Sequence, residues 1–250
     1  MKKISIITVS YNCEKTIVDT IKSVNSQSYR NNIEYIIVDG SSSDNTIKLI
    51  KEHESAIDKW ITEKDNGIYD AMNKGLKMAT GEWIGFLHAD DVFFSSNVIE
   101  NMIDQTKAYS CNCIYGNLNY IQEEPPHKIV RFWKSQDFTQ NLLKRGWMPP
   151  HPTVYIKREL IEKIGFFNTS YKISADYDYM LRLFTHSETQ SLFIDKTLVN
   201  MKLGGVSNNS VSNIIKKSKE DYKALTSNKV GGLYALFIKN FSKIAQFFSK

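Results

Sequence analysis

Apolar and polar positions follow two rhythms through the first 110 residues. The runs ISIITV (4–9), EYIIVD (34–39), KWITE (59–63) and EWIGFLH (82–88) read as strands, the longer ones apolar enough to be covered on both faces. Between them, segments of helical period predict helices over 14–28, 44–54 and 68–79, the second opening at SSSDNT, which is rich in capping residues. This βαβαβαβ order predicts an α/β fold with a parallel, doubly wound sheet and helices on both faces. Such sheets take ligands beyond the carboxyl ends of their strands. TVSYN, VDGSSSD, EKDNG and HADD all fall at those ends.

The rhythm then changes. CIYGNLNYI (113–121) and IVRFW (129–133) predict strands of a more irregular, antiparallel part, joined by a turn at EEPPH (123–127). GWMPPHPTVYIKREL leads through a Pro-rich turn into a strand and a helix, and SYKISADYDYMLRLF opens a further helix near Asp176. No repeat or low-complexity linker marks a boundary before about residue 205. In the tail, Leu233, Phe237, Phe241, Ile244 and Phe248 form one helical face, with Lys239, Lys243, Gln246 and Lys250 on the other. That pattern suits either packing against the body or lying in a membrane interface.

Composition narrows the partners. With 250 residues, 42% of them hydrophobic, the chain can bury the core of one domain with an appendage. Its net charge of +5 suits phosphate-bearing ligands or an anionic membrane, and no basic block or RNA-binding signature points to nucleic acid. Cys13, Cys111 and Cys113 lack a Cys/His cluster that would complete a zinc site, and read as reduced thiols of a cytosolic protein. The N-terminus is unlike a signal peptide, and no 18 apolar residues run together, so no bilayer span is expected.

HADD raises the chemical question. Adjacent Asp90 and Asp91 repel, and a fold that holds them together at a strand end usually supplies a cation or positive partner. A polar turn or helix cap is the competing explanation.

SIITVSYN, IIVDGSSSDNT, DNGIYDAMNKGLKMATGEWIGFLHADD and HPTVYIKRELIEKIGFFNTSYKISADYDYMLRL, in this order over most of residues 4–183, resemble the family 2 glycosyltransferases of the GT-A fold. The likeness is closest to bacterial enzymes that build O-antigen, capsule or exopolysaccharide. The resemblance implies an inverting transfer of a sugar from a nucleotide donor, UDP by family prevalence, with Mn or Mg. It divides the chain into a transferase domain over 1–205, with a nucleotide-binding half (about 1–110) and an acceptor half (about 111–205), and a helical extension over 206–250.

By the same resemblance Tyr11 and Asn12 hold the nucleotide base, and Asp39 matches the first Asp of the frequent VDDGS pattern, whose second Asp is here Gly40. Asp90 and Asp91 occupy the Asp-rich metal and ribose motif, where His88 replaces the usual first Asp. Either Asp90 or Asp91 is left as the metal ligand. Met72 stands where many relatives carry an Arg, and Lys74 is the candidate to compensate. Asp176 matches the catalytic base, with Asp178 as alternative. His151, Trp147, Asp178 and His88 are candidates for acceptor or phosphate contact, and an aromatic ring suits sugar stacking.

The acceptor implied is a saccharide on polyprenyl diphosphate, a GlcNAc type, met at the cytoplasmic membrane face. A catalytically inactive nucleotide-sugar or glycan-binding module is the alternative. A dinucleotide-binding dehydrogenase is disfavoured, because the first strand leads into SYNCEKT rather than a Gly-x-Gly-x-x-Gly loop.

Overall fold

The apolar runs form strands where expected. In the computed structural model, which describes residues 3–122, 128–203 and 211–245, β1 (Ile4–Ser10) and β2 (Ile33–Asp39) are buried at every position. Between them lies α1 (Ile17–Asn25), followed after β2 by α2 (Thr46–Glu52), β3 (Lys59–Thr62), α3 (Ile68–Met78) and β4 (Trp83–Phe86). β2, β1 and β4 pair in parallel with β3 as the edge strand. Side chains alternate between two cores: Ile7, Val9, Ile36 and Val38 face one, and Ile4, Ile6, Tyr35 and Ile37 the other. Burying each such Ile contributes about 1.5–3 kcal/mol, so both sheet faces drive folding.

Beyond β4 the sheet changes sense. β5 (Asp91–Phe93), α4 (Val98–Ala108), β6 (Cys113–Ile121), β7 (Ile129–Trp133) and the short α5 (Gln140–Leu143) precede β8 (Tyr155–Lys157), α6 (Arg158–Ile164), α7 (Ala175–Thr185) and β9 (Ser191–Lys202). The strand order is β3-β2-β1-β4-β8-β6-β9-β5, with β7 on β6. β8 runs antiparallel to β4 and β6, and β6 pairs antiparallel with β7 and parallel with β9. The doubly wound pattern thus holds for the first half and gives way to a mixed sheet in the second. The turn expected at 123–127 lies outside the described residues.

Two C-terminal helices close the chain, α8 (Val211–Ser227) and α9 (Leu233–Ala245). Ala224, Leu225 and Ala235 join the core that holds α7. Here one expectation is corrected. Lys239 does not lie on an outward basic flank: it is buried, its Nζ 2.8 Å from Asp221 Oδ1 and over the Tyr177 ring. The reason is electrostatic, since the buried Asp221 needs a cation close by. Leu233 and Phe237 of the expected apolar face remain 72% and 60% exposed. Phe248, Gln246 and Lys250, and the side chains of Phe241, Lys243 and Ile244, lie outside the described residues.

Candidate active site

At the carboxyl ends of β1, β2 and β3 a polar knot fixes the loops. Asp39 is fully buried and accepts from the Ser10 hydroxyl (3.0 Å), the Thr62 hydroxyl (2.8 Å), and both the hydroxyl and the backbone N–H (2.9 Å) of Ser42. Its carboxylate therefore ties three strand ends together instead of reaching outward. Asn12 sits at φ 50°, where Asn is among the better-tolerated residues, and its Oδ1 accepts the Ser43 N–H at 2.8 Å. These bonds hold the backbone on which Tyr11 presents a ring 66% exposed. Gly40 lies against that ring: a Cβ there would stand 3.4 Å from Tyr11 Cδ2 and 2.8 Å from Asp65 Oδ2.

Asp65 is thus the carboxylate that fills the place beside residue 40. Its other oxygen binds Lys74, whose Nζ also meets Glu63 at 2.9 Å and the Lys64 carbonyl at 3.1 Å. The charge of Lys74 is matched by acids at its own end of the cleft, and it holds Asp65 in place. Burial pushes the Asp65 carboxyl above its usual range despite Lys74. Sequence reasoning does not single out Asp65, because its approach to Gly40 comes from the meeting of two loops and leaves no local signal.

β4 delivers HADD to the same end of the sheet. Asp91 is completely buried and neither of its carboxylate oxygens has a hydrogen-bond partner. Burial first, then the adjacent Asp90, pushes its carboxyl well above the usual range, opposed only in part by the His88 backbone and the Lys202 charge. Asp90 is half-buried. The His88 ring is stacked on Phe86, and its Nδ1 is sealed off without a partner. Burial lowers the His88 pKa, while the charges of Asp90 and Asp176 pull the other way, so these three groups share one electrostatic neighbourhood.

The second half of the sheet supplies the opposite wall. Because β8 lies beside β4, the turn before it places His151 against Phe86, His88 and Phe167, with centroids 5.6, 5.8 and 5.8 Å apart. Burial, reinforced by His88, holds the His151 pKa down at about 4, which keeps the ring neutral. α7 begins next to α3. The Tyr69 hydroxyl donates to the Ile173 carbonyl at 2.6 Å and lies 3.3 Å from Asp176 Oδ1, which also accepts the Tyr177 N–H at 2.8 Å.

Two other candidates stand elsewhere. Asp178 is buried and bound to Arg182 Nε (2.9 Å) and Asn228 Nδ2 (3.0 Å), so its oxygens serve the packing of α7 on α6 and α8. Trp147 is packed among Tyr115, Phe138 and Phe184, which makes it a core side chain on its inner faces.

The acid-rich strand end suits a hard divalent cation. Buried carboxylate oxygens without donors, as in Asp91, are costly unless a cation or proton meets them. Among the described residues no three His, Cys, Asp or Glu side chains converge into a complete cage. Mg-type sites commonly use only one or two carboxylates and take the remaining ligands from substrate phosphates and water.

The glycosyl transferase family 2 model matches residues 5–171, from the start of β1 to just short of α7. The chain belongs to glycosyl transferase family 2. Its relatives in this family include an uncharacterized glycosyltransferase of Mycobacterium tuberculosis, 28% identical over 188 residues, 72% of this chain and 68% of the relative. Another is the Escherichia coli UDP-Glc:alpha-D-GlcNAc-diphosphoundecaprenol beta-1,3-glucosyltransferase WfgD, 34% identical over 165 residues, 65% of this chain and 63% of WfgD. Among solved structures, Staphylococcus aureus TarS 1–349 in complex with UDP-GlcNAc superposes with a TM-score of 0.73 at 16% identity, covering 91% of this chain and 66% of TarS 1–349. The Pyrobaculum calidifontis mannosyltransferase PcManGT, in complex with GDP-Man and Mn2+, gives 0.66 at 16% identity over 100% of this chain and 76% of its own. The family 2 chain therefore has the GT-A glycosyltransferase fold. It spans 64% of a second TarS 1–349 structure.

Proposed function

We propose that this chain is an inverting, metal-dependent transferase that moves a sugar from a UDP-type donor to a saccharide on polyprenyl diphosphate, in O-antigen or other surface-polysaccharide assembly. One observation carries the reading: at the carboxyl end of β4, Asp91 is fully buried with no hydrogen-bond partner on either carboxylate oxygen, beside the half-buried Asp90 and His88. Residues 1–205 form the transferase unit in this reading, with the donor half at about 1–110 and the acceptor half at about 111–205. Residues 206–250 form its extension.

The roles follow from the surroundings. Tyr11 stacks on the base over Gly40, with the loop fixed by Asn12 and Asp39, and Asp65 brings beside Gly40 the carboxylate that residue 40 lacks. Asp90 and Asp91 hold Mn or Mg, and His88 borders them as a neutral ring. When bound, that ion neutralises charge on the departing diphosphate. Asp176 takes the proton of the acceptor hydroxyl as its oxygen bonds to the anomeric carbon, while the bond from that carbon to the donor phosphate breaks with inversion. Asp178 is not the base, since both its oxygens are engaged. His151 lies on the acceptor side in this reading, and Trp147 serves the core behind it.

The extension supports a membrane-bound acceptor. From residue 206 on there are eight Lys against Glu220 and Asp221, which leaves residues 1–205 at −1 of the chain's +5. Lys216, Lys219 and Lys223 are exposed, as are Ile214, Ile215, Leu233 and Phe237. Basic side chains beside exposed apolar ones suit the cytoplasmic face of an anionic membrane. No helix among the described residues is long and apolar enough to cross one.

The test is incubation with Mn2+ or Mg2+, a short synthetic GlcNAc-diphosphate-lipid and a panel of UDP-sugars, read by mass spectrometry. A product one sugar heavier that disappears with EDTA supports the reading. Donor binding without turnover on any acceptor would instead mark a binding module.

A further inference from the structure

α8 carries only two acids, and they point in different directions. Asp221 turns to Lys217 and to Lys239 of α9. Glu220 turns to the chain entering α7. Its Oε1 accepts the Lys172 N–H at 3.0 Å, and its Oε2 accepts the N–H groups of Lys172 (3.1 Å), Ile173 (2.8 Å) and Ser174 (3.0 Å). Three consecutive backbone donors thus converge on one carboxylate.

This arrangement occurs where a helix needs it. The first N–H groups of a helix and those just before it lack partners within the helix, and a side-chain cap normally meets some of them. Ser174, at the capping position of α7, makes no side-chain cap bond. Glu220 supplies negative charge at that terminus from another helix, where charge-assisted bonds to N–H groups are among the stronger ones. On the opposite side of the same turn the Tyr69 hydroxyl holds the Ile173 carbonyl. The segment is therefore clamped by its donors from α8 and by its acceptor from α3, and Asp176 is the second residue beyond it.

We propose that Glu220 is a positioning residue for transfer: it fixes the turn at 172–174 and so the place of Asp176. The inference rests on Asp176 being the base. It gives the C-terminal extension a part in turnover beyond any contact with a membrane. Glu220 also lies outside the segment matched by the family model, residues 5–171. Positioning of this kind matters because a displacement of about 1 Å at a reacting group lowers turnover on the order of 100-fold.

The test compares wild type, Glu220→Ala, Glu220→Gln and Asp176→Asn with the productive UDP-sugar and the synthetic lipid acceptor, alongside amide hydrogen exchange over 166–176. The expected result for Glu220→Ala is faster exchange at 172–174, kcat lowered about 10- to 100-fold, and an unchanged KM for donor. Glu220→Gln keeps the shape and one acceptor oxygen, so it falls between, and it serves if the alanine variant does not fold. Faster exchange with unchanged kcat would overturn the proposal, as would unchanged exchange, or donor KM rising in step with the loss of kcat. If Asp176→Asn kept its turnover, the base assignment would fall and this proposal with it. Loss in Asp176→Asn with none in the Glu220 variants would sink the positioning role alone.

Discussion

Two acids lie buried at opposite ends of the same sheet, and they are treated differently. Glu34, near the start of β2, accepts from the Ser5 hydroxyl, the Thr80 N–H and hydroxyl (both 2.7 Å), and Lys59 Nζ (2.9 Å), with Lys3 at 3.4 Å. Asp91, at the end where the strands point, has no hydrogen-bond partner on either oxygen. Both have lost their water, so the difference lies in what replaces it. At the amino end the protein itself offsets the desolvation, and the acid is a structural joint. At the carboxyl end the deficit is left open beside Asp90 and His88, as it would be at a place where a ligand completes the set.

The largest effect expected from breaking this contrast is at Glu34. Glu34→Ala lets Lys3 and Lys59 swing to water, as the exposed Thr80 can, but leaves the fully buried Ser5 hydroxyl without its charged acceptor. We expect a loss of about 3 kcal/mol, or roughly 6–12 °C in Tm for a chain of this size, with turnover per folded molecule unchanged. A large fall in kcat would show that the amino end is not merely structural. The same acid sets a pH dependence. Burial alone would raise its pKa, but bonds from Ser5, Lys59 and Thr80 outweigh that and hold it well below the ordinary 4.5. The unfolded chain therefore binds a proton below pH 4.5 that the native chain refuses, and stability falls as pH falls through that region. Glu34→Gln should show a flatter acid limb in melts taken at successive pH values.

The next effect sharpens the other side. Mn2+ at about 100 times its Kd, added with UDP, should stabilise wild type by about 2.7 kcal/mol, and Asp90→Asn and Asp91→Asn should lose most of that increment. Equal increments in all three would remove the metal from this site. Without metal, wild type should lose stability as pH rises above the ordinary carboxylate range, because the unfolded chain gives up a proton that the buried Asp91 carboxyl holds, and Asp91→Asn should lack that dependence. The same pH dependence in both would mean that the native carboxylate does have support, and the contrast with Glu34 would fail.

The same contrast explains what was legible beforehand. β1, β2 and β4 were readable because unbroken apolar runs can be satisfied only by burial on both faces, and α3 because its period of apolar positions is regular. HADD was readable as chemistry because like charges in sequence are like charges in space. Asp65 was not, since its significance is its distance to Gly40 across two loops. Lys74 looked available for phosphate until Asp65 and Glu63 were placed around it. β9, whose burial pattern is largely intermediate, and the three-residue β5 carry no clear period of their own. Glu220 reads locally as one charge in a basic helix, and only the fold brings it to the turn before Asp176.

The smallest expected change in stability concerns α9. Removing residues 231–250 would take Lys239 from the buried Asp221 and leave it only the longer contact to Lys217, so a lost activity could reflect that cost alone. Substituting the outward residues separates the two effects. Leu233→Ser with Tyr234→Ser touches side chains 72% and 73% exposed, and should move stability by no more than about 0.5 kcal/mol. Apolar side chains that enter a membrane interface contribute to binding in proportion to the area they bury there, whereas the same side chains facing water contribute almost nothing to the fold. Sedimentation with vesicles containing anionic lipid should therefore fall in the double variant while its melt and its turnover on a soluble acceptor stay those of wild type. Unchanged sedimentation would move the expected contact to α8, where Ile214 and Ile215 are exposed beside Lys216, Lys219 and Lys223, and neutralising those three lysines together would then test it.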